Sequence, residues 1–338
     1  ADGGREFATG SNQPSSSAGS TAAPGNVVPP RAATTGAAAV GSTAASADVT
    51  GSGAARPPVA ASTGAGTVPS FSHVFIVVEE NTDLQTVLAS GRAPTFAALA
   101  KQGAVAANYY AISHPSEPNY IALIGGDLFG VNSDSLATRI DAPTIVDQLE
   151  AANKSWKAYM EGLPAAGSLV GQAGNYAKKH DPFVLFTSIT EDANRVSHVV
   201  PLTQLDQDLA ANQVPDYSFI APDLCHDMHD CGVDQGDPFL ATLSTAIQGS
   251  KAWDSKAVLF VTFDEAEGQD ASATCCGSLP GGGKVGLIAV SPLARAGYTS
   301  QQPYNHYSLL RTVEDAWRLG PLAHSGDPGV QPLADLFQ

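Results

Sequence analysis

The chain has 338 residues, with 17 Lys and Arg against 33 Asp and Glu, and a formal net charge of −16 at pH 7. So acidic a chain does not bind nucleic acid or an anionic membrane through a broad basic surface, whereas its carboxylates suit a cation. No apolar run reaches the length of a transmembrane helix. We therefore expect neither a nucleic-acid partner nor a membrane-spanning segment.

Residues 1–70 consist largely of Ala, Gly, Ser, Thr and Pro, without a periodic apolar pattern. Such a segment buries too little apolar surface to offset the entropy of ordering it, so we predict a disordered low-complexity leader. Its opening, ADGGREFATG, looks like a vector-derived remnant. The leader carries three Arg and three acidic residues, which leaves the net negative charge on residues 71–338. We predict that residues 71–338 form one domain.

Short apolar runs alternate with segments of helical periodicity along this domain. Buried strands are predicted at 73–78, 104–112, 155–161, 217–223, 257–265 and 285–292. Helices are predicted at 94–103, 142–154, 237–250 and 306–320, and another begins near Ser116. The segment 306–320 closes with Gly320, a residue typical of helix ends. Alternation of this kind predicts an α/β fold with a mainly parallel central sheet flanked by helices.

Acidic or hydroxyl side chains follow four of the predicted strands. Glu80 and Asn81 end the first strand, Ser116 follows the second, the segment 223–230 follows the strand at 217, and Asp264 and Glu265 end another. Because sites in parallel sheets form at the carboxyl ends of strands, we expect these groups to meet in space.

Several carboxylates in one place repel each other, and a bound divalent cation relieves that repulsion. Glu80, Asn81, Asp264 and Glu265 offer hard oxygen ligands, which suit Mg, Ca or Mn, and added histidines open the site to Zn or Fe. Further candidate ligands or phosphate contacts are Asp227, His229, Asp230 and His306. Each of these groups also has a simpler interpretation: an Asp-Glu pair is often a solvated turn, and His229 equally fits a hydrogen-bonded interior histidine.

Ser116 gains a chemical role beside a cation, because metal binding favours the alkoxide of an otherwise poor nucleophile. As a helix N-cap it would also place backbone N–H groups beside an incoming anion, although most such serines are only caps. Pro118 suits the first helical turn. Asn119 is a further candidate contact of the metal or the phosphate, or a residue whose side-chain hydrogen bonds fix the turn. The basic run Lys178, Lys179 and His180 could hold a substrate phosphate, while a solvated face is the favoured alternative. Lys179 and His180 are also possible metal contacts.

The four cysteines, Cys225, Cys231, Cys275 and Cys276, form two clusters, which fits two disulfides and an oxidising compartment. Because a vicinal bond is strained, we expect bridges between the two clusters. A four-cysteine zinc site is the less favoured alternative, since neither cluster has Cys-x-x-Cys spacing.

Six motifs occur in the order found in one known family. They are VVEEN at 77–81, HPSEPNYIAL at 114–123, YAKKHDPFVLF at 176–186, DMHD at 227–230, VTFDEAEG at 261–268 and HYSLLRTVED at 306–315. In these motifs the chain resembles the phosphoesterase family of secreted acid phosphatases and bacterial phospholipases C, and within it the mycobacterial secreted acid phosphatases. The resemblance covers residues 70–338 and implies an alkaline-phosphatase-like fold and a metal-dependent phosphomonoesterase.

The resemblance implies roles for individual residues. Glu80, Asn81, Asp264 and Glu265 match the family's metal ligands, and Ser116 matches its hydroxyl nucleophile. The expected enzyme is therefore a secreted or envelope-associated acid phosphatase that forms a phosphoserine on Ser116, with His229 as the proton donor to the leaving group. Its substrate is a small-molecule or lipid phosphate monoester. The alternatives are a phospholipase C acting on lipid headgroups and a non-catalytic wall-associated binding protein.

Overall fold

A computed structural model describes residues 67–268 and 271–338. The predicted leader lies outside the described residues, apart from its last four positions. The strands are β1 Val74–Glu79, β2 Ala104–Ala106, β3 Tyr109–Tyr110, β4 Trp156–Met160, β5 Gln172–Ala173, β6 Tyr176–Ala177, β7 Val199–Pro201, β8 Tyr217–Ala221, β9 Val258–Phe263, β10 Leu287–Val290, β11 Thr299–Ser300 and β12 Tyr304–Asn305. The α-helices are α1 Leu84–Ala89, α2 Pro94–Gln102, α3 Ser116–Gly125, α4 Ile145–Ala151, α5 Thr187–Thr190, α6 Ala193–Val196, α7 Thr203–Ala211, α8 Val233–Gln248 and α9 His306–Trp317.

Eight strands form the main sheet, in the order β11-β2-β10-β9-β1-β8-β4-β7. β1 pairs in parallel with β8 and β9, and β4 pairs in parallel with β8 and β7. Only β10 runs antiparallel to its two neighbours within the described sheet. The predicted α/β class with a mainly parallel sheet is confirmed. Short helical turns of the 3-10 type occur at Lys178–His180, Pro182–Leu185, Ala323–Gly326 and Ala334–Leu336.

The central strands explain why the apolar runs are continuous. Every residue of β1 and β9 is buried, as expected for strands covered on both faces. Helices α3 and α9 pack against each other, and so do α2 and α8. In register, Glu79 at the end of β1 lies beside Phe263 at the end of β9. The residues that follow these two strands therefore emerge at the same edge of the sheet.

Several element boundaries differ from the sequence-based prediction. The predicted strand 104–112 is two short strands separated by a turn at 107–108. Helix α8 begins at Val233, four residues early, with Pro238 inside it. Helix α9 is ended by Arg318 in the left-handed conformation (φ 58°), and not by Gly320. In each case tertiary packing outweighs a local propensity.

The expected disulfide pairing is wrong. The bonds are Cys225–Cys231 and Cys275–Cys276, so each lies within a cluster and neither joins the two clusters. The tight loop after β8 folds back on itself and brings the Cα atoms of Cys225 and Cys231 to 4.7 Å, within bonding range. All four cysteines are paired in this way, which leaves none for a zinc site. The first disulfide closes the loop that carries Asp227, His229 and Asp230.

Candidate active site

Ser116 is placed against two carboxylates from neighbouring strand ends. Its Oγ donates to Glu80 Oε2 at 3.0 Å and lies 3.4 Å from Glu265 Oε1. The serine is the first residue of α3 and Pro115 is the N-cap, so the expectation that Ser116 caps the helix is wrong. Pro115 has extended backbone geometry and offers no capping hydrogen bond, while the serine hydroxyl is directed to the carboxylates instead. This is the geometry of a hydroxyl whose proton has an acceptor in place.

Asn81 and Asp264 form a second contact at the same edge. The Asn81 backbone N–H donates to Asp264 Oδ1 at 3.2 Å. Asn81 adopts a positive φ of 39°, a conformation that asparagine tolerates better than most residues. Its side-chain Oδ1 and Asp264 Oδ2 are both buried and have no hydrogen-bond partner among the described residues. Two unsatisfied acceptors at one strand edge are typical of a site built for a ligand.

His180 completes a cluster with Glu80 and Asp227. Its Nε2 lies 3.2 Å from Glu80 Oε1, and its Nδ1 lies 3.3 Å from Asp227 Oδ2. The ligand atoms of these three buried residues all lie within 4.8 Å of one another, which is close enough to share one metal ion. The sequence suggested His180 as a possible metal or phosphate contact, and the fold brings it to the carboxylates.

The charges of this cluster are unfavourable without a cation. Burial, and then the neighbouring Glu265, raises the pKa of Asp264 to about 8, and burial raises the pKa of Asp227 to about 8. Burial and the charge of Asp264 likewise raise the pKa of Glu80. Burial lowers the pKa of His180, which keeps its imidazole neutral and able to bind a metal. The donor set of carboxylate, amide and imidazole groups therefore fits a divalent cation.

His306 and Asn119 use their polar atoms in other contacts. His306 is fully buried, with Nδ1 3.1 Å from the Tyr109 hydroxyl and Nε2 2.7 Å from the Asp264 carbonyl oxygen. Asn119 Oδ1 accepts from the backbone N–H groups of Ile112 and Ser113, and its Nδ2 donates to the Ser113 carbonyl oxygen. Both side chains thus fix the backbone around the site, and neither directs a polar atom to the carboxylates.

The remaining candidates lie on the solvent side. His229 is partly exposed, and its Nδ1 lies 2.7 Å from Asp230 Oδ1. The His229 ring centroid is 6.3 Å from that of His180. Lys179 Nζ lies 3.4 Å from Asp134, which also accepts from the Glu117 backbone N–H at the start of α3. That N–H, expected to meet an incoming anion, is therefore already engaged by an aspartate.

Three residues beside the site were not assigned a role from the sequence. Tyr120, one helical turn after Ser116, donates to Glu80 Oε1 at 2.6 Å and stacks on His180. His114 forms an ion pair with Glu265, and this contact raises the pKa of His114 to about 9. Glu79 is fully buried and neither of its carboxylate oxygens has a partner among the described residues. The spacing of four residues in a helix is a signal that could have identified Tyr120.

Residues 84–320 match the sequence model of the Phosphoesterase family. A relative from Mycobacterium tuberculosis, named phosphatidylinositol-3-phosphatase, is 31% identical over 272 residues, which are 80% of this chain and 84% of the relative. An acid phosphatase from Aspergillus fumigatus is 30% identical over 261 residues, or 75% of this chain. The chain spans only 56% of that fungal relative's length.

Solved structures share the fold at low sequence identity. A protein of the alkaline phosphatase superfamily from Vibrio parahaemolyticus superimposes with a TM-score of 0.51, at 14% identity, over 78% of this chain and 70% of that one. Murine ectonucleotide pyrophosphatase/phosphodiesterase 5 gives a TM-score of 0.50 at 13% identity, over 79% of this chain and all of the other. The expected alkaline-phosphatase-like fold is confirmed.

Proposed function

Because this chain belongs to the Phosphoesterase family and is a phosphate ester hydrolase, we propose that it is a metal-dependent acid phosphatase acting on phosphate monoesters through a phosphoserine. One observation carries the proposal: the Ser116 hydroxyl lies 3.0 Å from Glu80 and 3.4 Å from Glu265, at the edge where buried oxygens of Asn81 and Asp264 have no hydrogen-bond partner in the described part of the chain. A positioned hydroxyl with a proton acceptor is the arrangement that nucleophilic catalysis requires.

Glu80, Asn81, Asp264 and Glu265 are the proposed metal ligands, and His180 and Asp227 extend the same ligand set through Glu80. When bound, a divalent ion supplies Lewis-acid stabilisation of the serine alkoxide and of the phosphate oxygens. One Oδ atom each of Asn81, Asp227 and Asp264 forms no hydrogen bond with the described residues, which supports this assignment because buried polar atoms are normally hydrogen-bonded.

The residues of the chain divide the proton transfers between them. Glu80 Oε2 accepts the Ser116 proton as Oγ bonds to phosphorus. The bond from phosphorus to the ester oxygen breaks, and a proton from His229 converts the departing oxygen to an alcohol. Water then attacks phosphorus and gives a proton to His229, the bond from phosphorus to Oγ breaks, Glu80 returns its proton to Oγ, and phosphate is released. Asp230, 2.7 Å from His229 Nδ1, orients the imidazole for this donation.

Substitution of Ser116 by Ala tests the nucleophile. The variant should lose at least about a thousandfold in kcat towards p-nitrophenyl phosphate, since the bond-forming atom is gone. The matched control is Ser113→Ala in the same loop, whose hydroxyl donates to the His114 carbonyl oxygen at 3.1 Å. That control should retain activity within about tenfold, the equivalent of one lost neutral hydrogen bond. Turnover by Ser116→Ala at the level of the control would exclude the phosphoserine route.

We also propose that the protein works in an oxidising compartment outside the cytoplasm. The two disulfides support this, because such bonds persist where thiols are not kept reduced. Among the described residues, no helix combines the length and the apolar content needed to cross a membrane. Mass spectrometry of the protein isolated from its native host under thiol-blocking conditions tests the proposal, and free thiols at the cysteines would contradict it.

A further inference from the structure

A pocket of about 360 Å³ opens beside the proposed nucleophile. Glu117 lines it and directly follows Ser116, while Lys179 lines it and directly precedes His180. His229, the proposed proton donor, forms part of the same wall. The pocket is large enough for a compact organic group. Its position next to the proton donor places it where the alcohol of a phosphate ester would lie.

The two acidic side chains in this pocket are committed to other contacts. Asp134 pairs with Lys179 at 3.4 Å and accepts from the Glu117 backbone N–H at 3.0 Å. The Glu117 carboxylate accepts from the Ser135 backbone N–H and from the Thr138 hydroxyl. These contacts neutralise Lys179 and leave both carboxylates satisfied.

Lys178 is the cation without such a partner. Its Nζ donates to the Leu136 carbonyl oxygen at 3.0 Å. Within the described residues, no carboxylate oxygen lies inside the 4.0 Å range of an ion pair with it. The charges of Glu117 and Asp181 act on this ammonium group from a greater distance. Because none of the described carboxylates forms an ion pair with it, the ammonium group can still attract an anion that enters the pocket beside the reaction centre. Leu136 and Leu224 supply apolar wall beside it.

We propose that this pocket is the leaving-group subsite and that Lys178 binds an anionic group carried by the leaving alcohol. The preferred substrates are then phosphate monoesters whose alcohol bears a carboxylate or a second phosphate on a compact apolar body. This inference rests on the proposed function, since it assigns the leaving group of the same reaction.

Two nearly isosteric substrates isolate the charge: 4-carboxyphenyl phosphate and 4-carbamoylphenyl phosphate. The quantity measured is the ratio of their kcat/KM values in each variant relative to the ratio in the wild type, so that their intrinsic reactivities cancel. Lys178→Gln should lower the ratio about fivefold, which is the effect of losing one partly exposed charge-assisted contact. The control Lys251→Gln, at an exposed site outside the pocket, should leave it unchanged. Raising the ionic strength should reduce the wild type's own ratio of kcat/KM for the carboxylate substrate to that for the amide substrate. The same ratio in Lys178→Gln should not change.

An unchanged ratio in Lys178→Gln would overturn the subsite, and an equal fall in kcat/KM for both substrates counts as that result. Failure of the proposed function gives a different result. In that case wild-type protein would hydrolyse neither aryl phosphate, or Ser116→Ala would hydrolyse both as fast as wild type.

Discussion

Asp264→Asn should stabilise the metal-free protein at pH 8. Burial and Glu265 raise the pKa of Asp264 to about 8, and burial raises that of Asp227 to about 8. Between the ordinary aspartate value and pH 8, the folded state therefore binds more protons than the unfolded state, and stability falls as the pH rises. Asparagine keeps an oxygen that can accept from the Asn81 backbone N–H but removes the charge.

The pH window follows from the histidines. Burial lowers the pKa of His306 to about 4. Its contribution to folding stability therefore rises with pH up to about 6.5, which opposes the loss of stability caused by the carboxyls in that range. Above pH 6.5 that contribution is complete. Glu265 raises the pKa of His114 to about 9. The stability that this histidine contributes is therefore also lost as the pH rises, in the same direction as for the carboxyls. The decline is thus clearest between pH 6.5 and 8.

For one group that is protonated in the folded state and ionised in the unfolded state, each pH unit changes the free energy of unfolding by about 1.4 kcal/mol. Asp227 and Asp264 together set an upper limit of about 4 kcal/mol over this window, and we expect about half of it because the two buried carboxyls lose their protons as an interacting pair. We expect the wild-type protein to lose about 2 kcal/mol, or about 6 °C in Tm, between pH 6.5 and 8. In Asp264→Asn about half of this loss should disappear, because burial still raises the pKa of Asp227 and Glu265 still raises that of His114.

Thermal unfolding followed by circular dichroism after chelation and dialysis measures the effect, with and without added Mg, Ca, Mn or Zn. The control is Asp216→Asn. Burial alone would raise the pKa of Asp216, but hydrogen bonds from Lys154 and Ser155 hold it below its ordinary value. That variant should lose stability at pH 8 and keep the wild-type response to metal. Lower metal-free stability of Asp264→Asn than of wild type at pH 8, or a metal-induced rise in Tm equal to that of wild type, would refute the reasoning.

Three further substitutions probe the scaffold. Gly103→Ala should destabilise the protein by at least about 2 kcal/mol in urea unfolding, because its Cβ would meet the Ala289 carbonyl oxygen at 2.2 Å. Asn119→Ala should cost about 2–4 kcal/mol by calorimetry and lower kcat, since two buried N–H groups lose their acceptor; unchanged kcat would separate this loop from catalysis. Replacing Cys225 and Cys231 together by Ser should lower the free energy of chemical unfolding by about 2 kcal/mol. Metal binding measured by isothermal titration should also weaken, because the bond closes the loop that carries a proposed ligand. Wild-type metal affinity would show that the loop holds its geometry without the bond.

The sequence alone determined the α/β class and predicted where in the fold the proposed site lies. Continuous apolar runs at β1 and β9 are typical of strands buried on both faces, and the residues after parallel strands emerge at one edge. That rule by itself predicts that Glu80, Ser116 and Asp264 lie together. It holds because burial is encoded locally, in the period and length of each apolar run, and because the alternation of strands with helices favours parallel strands.

Only the tertiary structure decided how the loops close over that edge. It brought His180 to Glu80 and Asp227, turned both nitrogens of His306 to Tyr109 and the Asp264 backbone, and left Lys178 without a carboxylate partner among the described residues. It also paired the cysteines within each cluster. Apart from the cysteine pairs, which join residues six positions and one position apart, these outcomes depend on contacts between residues far apart in the chain, whose geometry no local pattern specifies. A strand end shows where a side chain emerges, and only the packed loops show which neighbours it meets.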